Sequence, residues 1–376
     1  MVEARKKTNG PINANFFIFD NGASNDSNDI NDNKAIESLK SLSFCQDIAF
    51  HKPVAEFYDL NYMLEPIWYH KPEILTFHLG IPSQDIIQKA HEFNICVGMT
   101  ATNLQEGLAV KEAGSDFIVA QGIEAGGHRG IFFDKDDYID SKLTTAELVV
   151  ELVNNVGSTP VVAAGGIMNG SDIQAMLLRG ASACQLGTVF LCCDESAASQ
   201  AHKDYIINKH ERGTTYTRSF SGRPAQGIRN DFMKMMEGKP VLKFPLQGKL
   251  TGPMRQLAVT RNEGEYQSLW TGREYAKVRP GNAATIMRML SDEMKYIEWV
   301  PLQQRKRSII QQLTNVLSHI LTICIFFSMQ LLLSLLMVHL MMMMMMMTTH
   351  GGGDDNDDGG DDDNLTTSCQ YSTRIE

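Results

Sequence analysis

Three segments concentrate residue types whose spacing could do chemistry. The first is Gln121-Gly122-Ile123-Glu124-Ala125-Gly126-Gly127-His128-Arg129-Gly130. Its glycines let backbone approach a ligand closely. Its histidine is the side chain best suited to exchange a proton near neutral pH. The second is Val161-Val162-Ala163-Ala164-Gly165-Gly166-Ile167-Met168-Asn169-Gly170, and the third is Gln185-Leu186-Gly187-Thr188. In barrels, the loops after the last two strands commonly build a phosphate site from backbone N–H groups and a helix N-terminus. Thr188 can add a hydroxyl. Any tight corner needs glycine, so one such turn says little. Two of them, one strand–helix unit apart and both at strand ends, point to a phosphate-bearing ligand. By periodicity alone His128 fits a solvent-facing loop as well as it fits a site. The chain has no G-x-x-x-x-G-K-[ST], so a P-loop nucleotide site is not expected.

The elements that must position these segments alternate regularly. Short apolar runs at Asn13–Phe19, Glu73–Leu79, Asn94–Met99, Asp116–Ala120, Pro160–Ala164 and Ala183–Leu191 predict strands. Helical spacing over Ser83–Phe93, Asn103–Ala113, Thr144–Asn155 and Ser171–Arg179 predicts helices between them. Thr144, Thr145 and Glu147 supply capping residues at one start, and Gly114 and Gly180 supply stops. Helices are also expected within 35–72 and over Ala283–Trp299. Strands alternating with helices at this spacing signify repeated βα units and a parallel sheet. An open doubly wound sheet and a closed eight-stranded barrel both satisfy the pattern. In both, chemistry sits at the C-terminal ends of the strands, where the glycine-rich segments fall. Only about six strands can be read, and a closed barrel needs eight.

Composition bounds the partners. Hydrophobic residues make up 43 % and charged residues 21 % of 376, which suits a globular chain with one sizeable core. The net charge is −10, of which the stretch from Gly351 onward carries −7 through seven Asp and one Glu against one Arg. The body is nearly balanced, so no nucleic-acid partner is expected. Seven cysteines without a C-x-x-C pair read as reduced intracellular packing thiols, not as a disulfide framework or zinc site. The first ten residues lack the apolar core of a secretory signal.

Two regions differ from the rest. Residues 20–34 form a polar Asn/Asp/Ser-rich insertion, expected as a loop. After a basic linker at 301–308, the stretch 309–347 holds no Asp, Glu, Lys or Arg and includes seven consecutive Met; an acidic low-complexity tail, 348–376, follows. The apolar stretch is long enough to span a bilayer, and the preceding Arg305-Lys306-Arg307 would keep the body on the cytoplasmic side. The Met and Asp runs can also both arise from one trinucleotide repeat read in two frames. An anchor and a repeat or gene-model artefact both remain as readings.

Taken together, the strings Ala120–Gly130, Ala163–Gly170 and Gln185–Thr188 resemble the nitronate monooxygenases, formerly 2-nitropropane dioxygenases. Ser221-Gly222-Arg223-Pro224-Ala225, Arg229-Asn230, Leu250–Arg255 and Leu269-Trp270-Thr271-Gly272 extend the resemblance over roughly residues 10 to 295. It implies an FMN-dependent (β/α)8 TIM barrel with a small additional α/β segment. The implied activity is oxidation of alkyl nitronates by O2 to a carbonyl compound and nitrite. Carried over by position, His128 matches the catalytic histidine. Gln121, Gly126 and Asn15 would lie along the flavin, while Gly166, Gln185, Leu186, Gly187 and Thr188 would hold its phosphate. His128 would abstract the α-proton of a neutral nitroalkane, and would stabilise an anionic substrate when protonated.

Two departures qualify the match. The chain starts near what should be the second strand, so the first βα unit of the barrel is expected to be missing. The text after about residue 300 has no family counterpart. Two other readings follow. One is an FMN-dependent enoyl-ACP reductase, which shares the Glu-Ala-Gly-Gly-His loop. The other is an inactive partial product.

Overall fold

The computed structural model describes residues 1–19, 30–54, 58–133 and 139–295. The strands are β1 Asn13–Phe17, β2 Ile74–His78, β3 Cys96–Ala101, β4 Phe117–Gln121 and β5 Gly127–His128. They continue with β6 Val161–Ala164, β7 Ala183–Gln185, β8 Thr214–Thr217 and β9 Ala225–Ile228. Six of them build one all-parallel sheet in the order β1-β2-β3-β4-β6-β7. Each neighbour in that sheet is the next strand in the chain apart from the two-residue β5. The order does not reverse, which removes the doubly wound alternative, whose strand order must switch. Among the described residues β1 and β7 are the sheet's edges.

Side chains alternate between the two faces of a strand. One parity, including Phe16, Leu75, Phe77, Val97, Met99, Ile118, Ala120, Val161 and Ala163, joins the main apolar core. Helices Gln84–Glu92, Thr145–Asn155 and Gly170–Leu178 contribute Ile86, Ile87, Leu148, Leu152 and Ile173 to that core. The other parity forms a smaller cluster, Phe117, Val119, Val162 and Ala164 with Ile74, Cys96 and Ala183. The Phe117 ring lies directly over Gly98, where a Cβ would collide with it. Pairing large with small residues fits the inner face of a curled sheet.

The helices start where their caps dictate. Thr144 and Glu147 form a capping box, and Asn103 and Asn169 each accept an amide of the first turn, from Glu106 and Asp172, at 2.8 Å. Expected and observed boundaries mostly differ by one to three residues. Three differences have physical causes. The strand expected to reach Leu191 ends at Gln185, because Gly187 leaves the extended region (φ −122°, ψ −70°) and Thr188–Phe190 winds into a 3-10 turn. Residues 30–34, expected within a polar loop, begin a helix, Ile30–Lys40. Its Ala35, Ile36 and Leu39 bury against a cluster containing Phe220, Phe232 and Met254. A third difference is a second sheet, antiparallel, of order β5-β9-β8, which the apolar pattern does not announce.

The five cysteines among the described residues are free, and burial pushes their thiols up to about 11 or 12. They are packing residues, not nucleophiles. Among the described residues no helix is long and apolar enough to cross a membrane. The stretches 20–29 and 296–376, with the basic linker, the Met-rich run and the acidic tail, lie outside the described residues.

Candidate active site at the C-terminal rim

Register places the polar inner-face residues along one rim. Asn15 pairs with Thr76 and Phe17 with His78. Gln121 pairs with Ala164, and Ala164 with Gln185. Asn15, His78, Gln121 and Gln185 therefore share one parity near the C-terminal ends of β1, β2, β4 and β7. The Thr76 hydroxyl donates to Asn15 Oδ1 at 2.9 Å.

The loop after β4 is held from several directions. β5 pairs with β9, Gly127 opposite Gln226 and His128 opposite Ala225. The buried Gln226 side chain donates to the carbonyls of Ile123 at 3.1 Å and Ala125 at 2.6 Å. Arg129, fully buried, forms a two-point pair with Asp140 at 2.8 and 2.9 Å and donates to the Gln121 carbonyl. Gly126 lies flat against Thr271 and Gly272, where a Cβ would strike backbone. Both ends of the Gln121 amide are engaged, Nε2 with the His128 carbonyl at 3.0 Å and Oε1 with the Gly130 amide at 2.8 Å.

His128 projects from this braced loop. Its Nε2 is 2.9 Å from Ser221 Oγ. The rings of Phe17 and Phe244 lie 5.6 Å away and that of Trp270 5.9 Å away. Its backbone carbonyl also accepts from His78 Nε2 at 3.1 Å. A carbonyl only accepts, so His78 carries its proton on Nε2 and accepts at Nδ1 from the Thr100 hydroxyl, 2.9 Å away. Burial pushes His78 down to about 4, more than its bond to the His128 carbonyl raises it. Burial, then His78, Arg223 and Arg255, push His128 down to about 3. Both rings are neutral at pH 7. Without substrate the His128 ring is held in its neutral form. The positive charge of Arg223 and Arg255 favours an anion beside it.

The second half of the rim lies at the ends of β6 and β7. Gly165 and Gly166 take positive φ, 119° and 70°. Among the described residues the amides of Gly166, Ile167, Gly187 and Thr188 donate to no protein acceptor. Thr188 Oγ1 accepts the Gly272 amide at 2.9 Å, which ties this rim to the segment covering Gly126. Free amides on two adjacent strand ends suit a phosphate dianion.

Asn15, Gln121, Gly126, His128, Gly166, Gln185, Leu186, Gly187 and Thr188 fall on this rim or on the loop above it. Three participants do not stand out in the sequence: His78, Ser221 and Trp270. His78 ends an apolar run, and its only signal is that it shares the parity of Thr76. Ser221 and Trp270 sit in text legible only by resemblance, because the sheet that carries them toward His128 has no clear alternation.

The unreversed parallel sheet with its polar inner-face rim defines an α/β protein with a curled parallel sheet. The chain belongs to the nitronate monooxygenase family, whose model matches residues 1–293. A probable nitronate monooxygenase of Staphylococcus saprophyticus is 39 % identical over 200 residues, 53 % of this chain and 56 % of that protein. A nitronate monooxygenase of Paraburkholderia phytofirmans is 37 % identical over 236 residues, 62 % of this chain and 64 % of that protein. The chain thus spans less than two thirds of the length of these relatives. The solved nitroalkane oxidase from Streptomyces ansochromogenes superposes with a TM-score of 0.72 at 29 % identity, covering 78 % of this chain and 83 % of that one. FabK from Thermotoga maritima shares the fold, with a TM-score of 0.57 at 23 % identity over 78 % of this chain and 79 % of that one.

Proposed function

We propose that the protein oxidises alkyl nitronates with O2 to a carbonyl compound and nitrite, with FMN as its cofactor. The observation that carries this reading is the pairing of a braced, neutral His128 with a row of unengaged amides on the same rim. Family membership supplies the reaction class. FMN fits the residues present. Gly166, Gln185, Leu186, Gly187 and Thr188 would hold its phosphate, and Asn15, Gln121 and Gly126 would lie along its ring system. When bound, the flavin supplies the electron transfer and the reaction with oxygen.

The chain's own residues do the rest. Gln226 and the Arg129–Asp140 pair fix the loop, so His128 is placed before substrate arrives. Phe17, Phe244 and Trp270 flank its half-buried ring. A neutral nitroalkane must lose its α-proton, and neutral His128 accepts it. The nitronate then faces an imidazolium of opposite charge, which raises the proton affinity of the ring.

We further infer that the six parallel strands are consecutive strands of an eight-stranded barrel, with β1 in the second place. Their unreversed order and their packed inner face support this.

The test is purification of the full chain with FMN supplied, followed by nitrite assay in air with a preformed alkyl nitronate. Bound flavin and nitrite release are expected. A flavin-loaded protein that releases no nitrite but oxidises NADPH with a crotonyl-type thioester would replace the reading with an enoyl reductase.

A further inference from the structure

Ser221 stands in the turn between β8 and β9, next to a chain reversal at Gly222. That glycine has φ 87°, and a Cβ there would strike Leu242 and Phe244. Ala225 pairs with His128, and the Arg129 amide donates to the Pro224 carbonyl at 2.8 Å. These two bonds fix how far the turn stands from the imidazole. Ser221 is buried, 8 % exposed, and its hydroxyl has three neighbours. The hydroxyl donates to the Arg223 carbonyl at 3.1 Å, and the Arg223 amide approaches Oγ at 3.4 Å. The third neighbour is His128 Nε2 at 2.9 Å.

A hydroxyl has one proton and two lone pairs. The Arg223 carbonyl can only accept, so we assign the Ser221 proton to it, and toward His128 the oxygen then accepts. We propose that Ser221 is a positioning residue that holds His128 as the Nε2–H tautomer, leaving the lone pair on Nδ1 for substrate. Among the described residues Nδ1 has no hydrogen-bond partner. The backbone of the same residue is pinned independently by His78 and Gln121. With the ring held at Nε2 and the main chain held at its carbonyl, Nδ1 points one way.

The assignment rests on the proposed nitroalkane chemistry for its consequence, though not for its geometry. The α-C–H bond of a nitroalkane breaks, its electron pair moves into the nitro group to give the nitronate, and the proton forms a bond to Nδ1. The imidazolium so formed donates more strongly from Nε2 to Ser221 Oγ, and the serine passes the polarisation on to the Arg223 carbonyl. No oxidant is needed in this step. A preformed nitronate does not need it at all.

The experiment is a nitrogen-15 NMR spectrum of the full-length protein labelled at histidine, at neutral pH, with His128→Asn used to assign the ring. The wild-type spectrum should show a pyrrole-type Nε2 and a pyridine-type Nδ1. In Ser221→Ala both signals should move toward the average of two tautomers, and Ser221→Thr should restore them. A wild-type ring protonated at Nδ1 overturns the proposal, and this arm decides even if Ser221→Ala fails to fold. Ring shifts unaltered in Ser221→Ala also overturn it. With flavin bound, Ser221→Ala should lower turnover of a neutral nitroalkane about tenfold, the weight of one lost hydrogen bond. Turnover of the preformed nitronate should hold. If wild type releases no nitrite from either substrate, the activity reading fails while the ring spectrum still decides the role of Ser221.

Discussion

His78 and His128 are linked ring to backbone, not ring to ring: His78 Nε2 donates to the His128 carbonyl at 3.1 Å. Besides this bond, the charge His78 would carry when protonated disfavours a second charge on His128. Here one is a strut for the other. The Thr100 hydroxyl fixes the far nitrogen of the strut, so β2 and β3 together hold the loop that follows β4. This is how a glycine-rich loop, which could wander, presents one side chain in one place.

Replacement of His128 should separate its two conceivable roles. A general base contributes about 10²–10⁴-fold where a carbon-bound proton must leave. His128→Asn should therefore reduce turnover of a neutral nitroalkane by that order and largely spare the preformed nitronate, with FMN still bound. Equal losses on both substrates would show anion binding instead. Normal rates on both would remove His128 from the chemistry.

The phosphate rim is tested at Gly187, whose amide and that of Thr188 are unengaged. Gly187→Asp sets a negative side chain where the phosphate should sit. Purified protein should lose its flavin absorbance while its yield stays close to that of wild type. Stoichiometric flavin in that variant would remove the assignment.

Much of this was legible in the sequence, and for identifiable reasons. β2, β3, β4 and β6 are buried on both faces, so they read as apolar runs with no alternation to misjudge. Asn103, Thr144 and Asn169 mark helix starts through a local hydrogen bond that needs no tertiary context. The antiparallel sheet was not legible. β5 is two residues inside a glycine-rich loop, and Thr214–Thr217 and Ala225–Ile228 have no apolar parity. Their pairing depends on Gln226 and on backbone bonds, which leave no periodic trace. His128 was visible as a residue type in a loop. Its neutral state was not, because that follows from burial and from Arg223 and Arg255, which arrive from far along the chain.

The Arg129–Asp140 pair should matter more to folding than any surface pair. Burial pushes the Asp140 carboxyl up, but the hydrogen bonds and charge of Arg129 outweigh it and hold the acid below its ordinary range. The guanidinium is fully buried. Asp140→Ala strands that charge and should cost about 3–5 kcal/mol in a denaturant titration. Glu3→Gln, which breaks the exposed Lys6–Glu3 pair, should leave the midpoint unchanged. Equal effects from the two variants would contradict the burial of Arg129.

Acid sensitivity should follow from the histidines. Burial drives His78 and His202 down to about 4 and His128 down to about 3, and in each it is the largest cause. In the unfolded chain these rings take up protons near pH 6.5. From about pH 6.5 down to about 4, the unfolded state therefore binds more protons than the folded one. Stability is full above pH 6.5 and falls as the pH drops through this window, by up to about 1.4 kcal/mol per proton per pH unit. Tm measured from pH 7.5 to 4.5 should decline steadily below 6.5. His202 is none of the residues assigned to the flavin; its Nε2 is buried without a partner among the described residues, and its ring is held by the Trp270 backbone. His202→Gln removes one of the three protons, so it should flatten the decline by about a third without changing flavin binding. A Tm that stays level between pH 7 and 5 would show that these rings are hydrated, and the neutral state of His128 would fall with it.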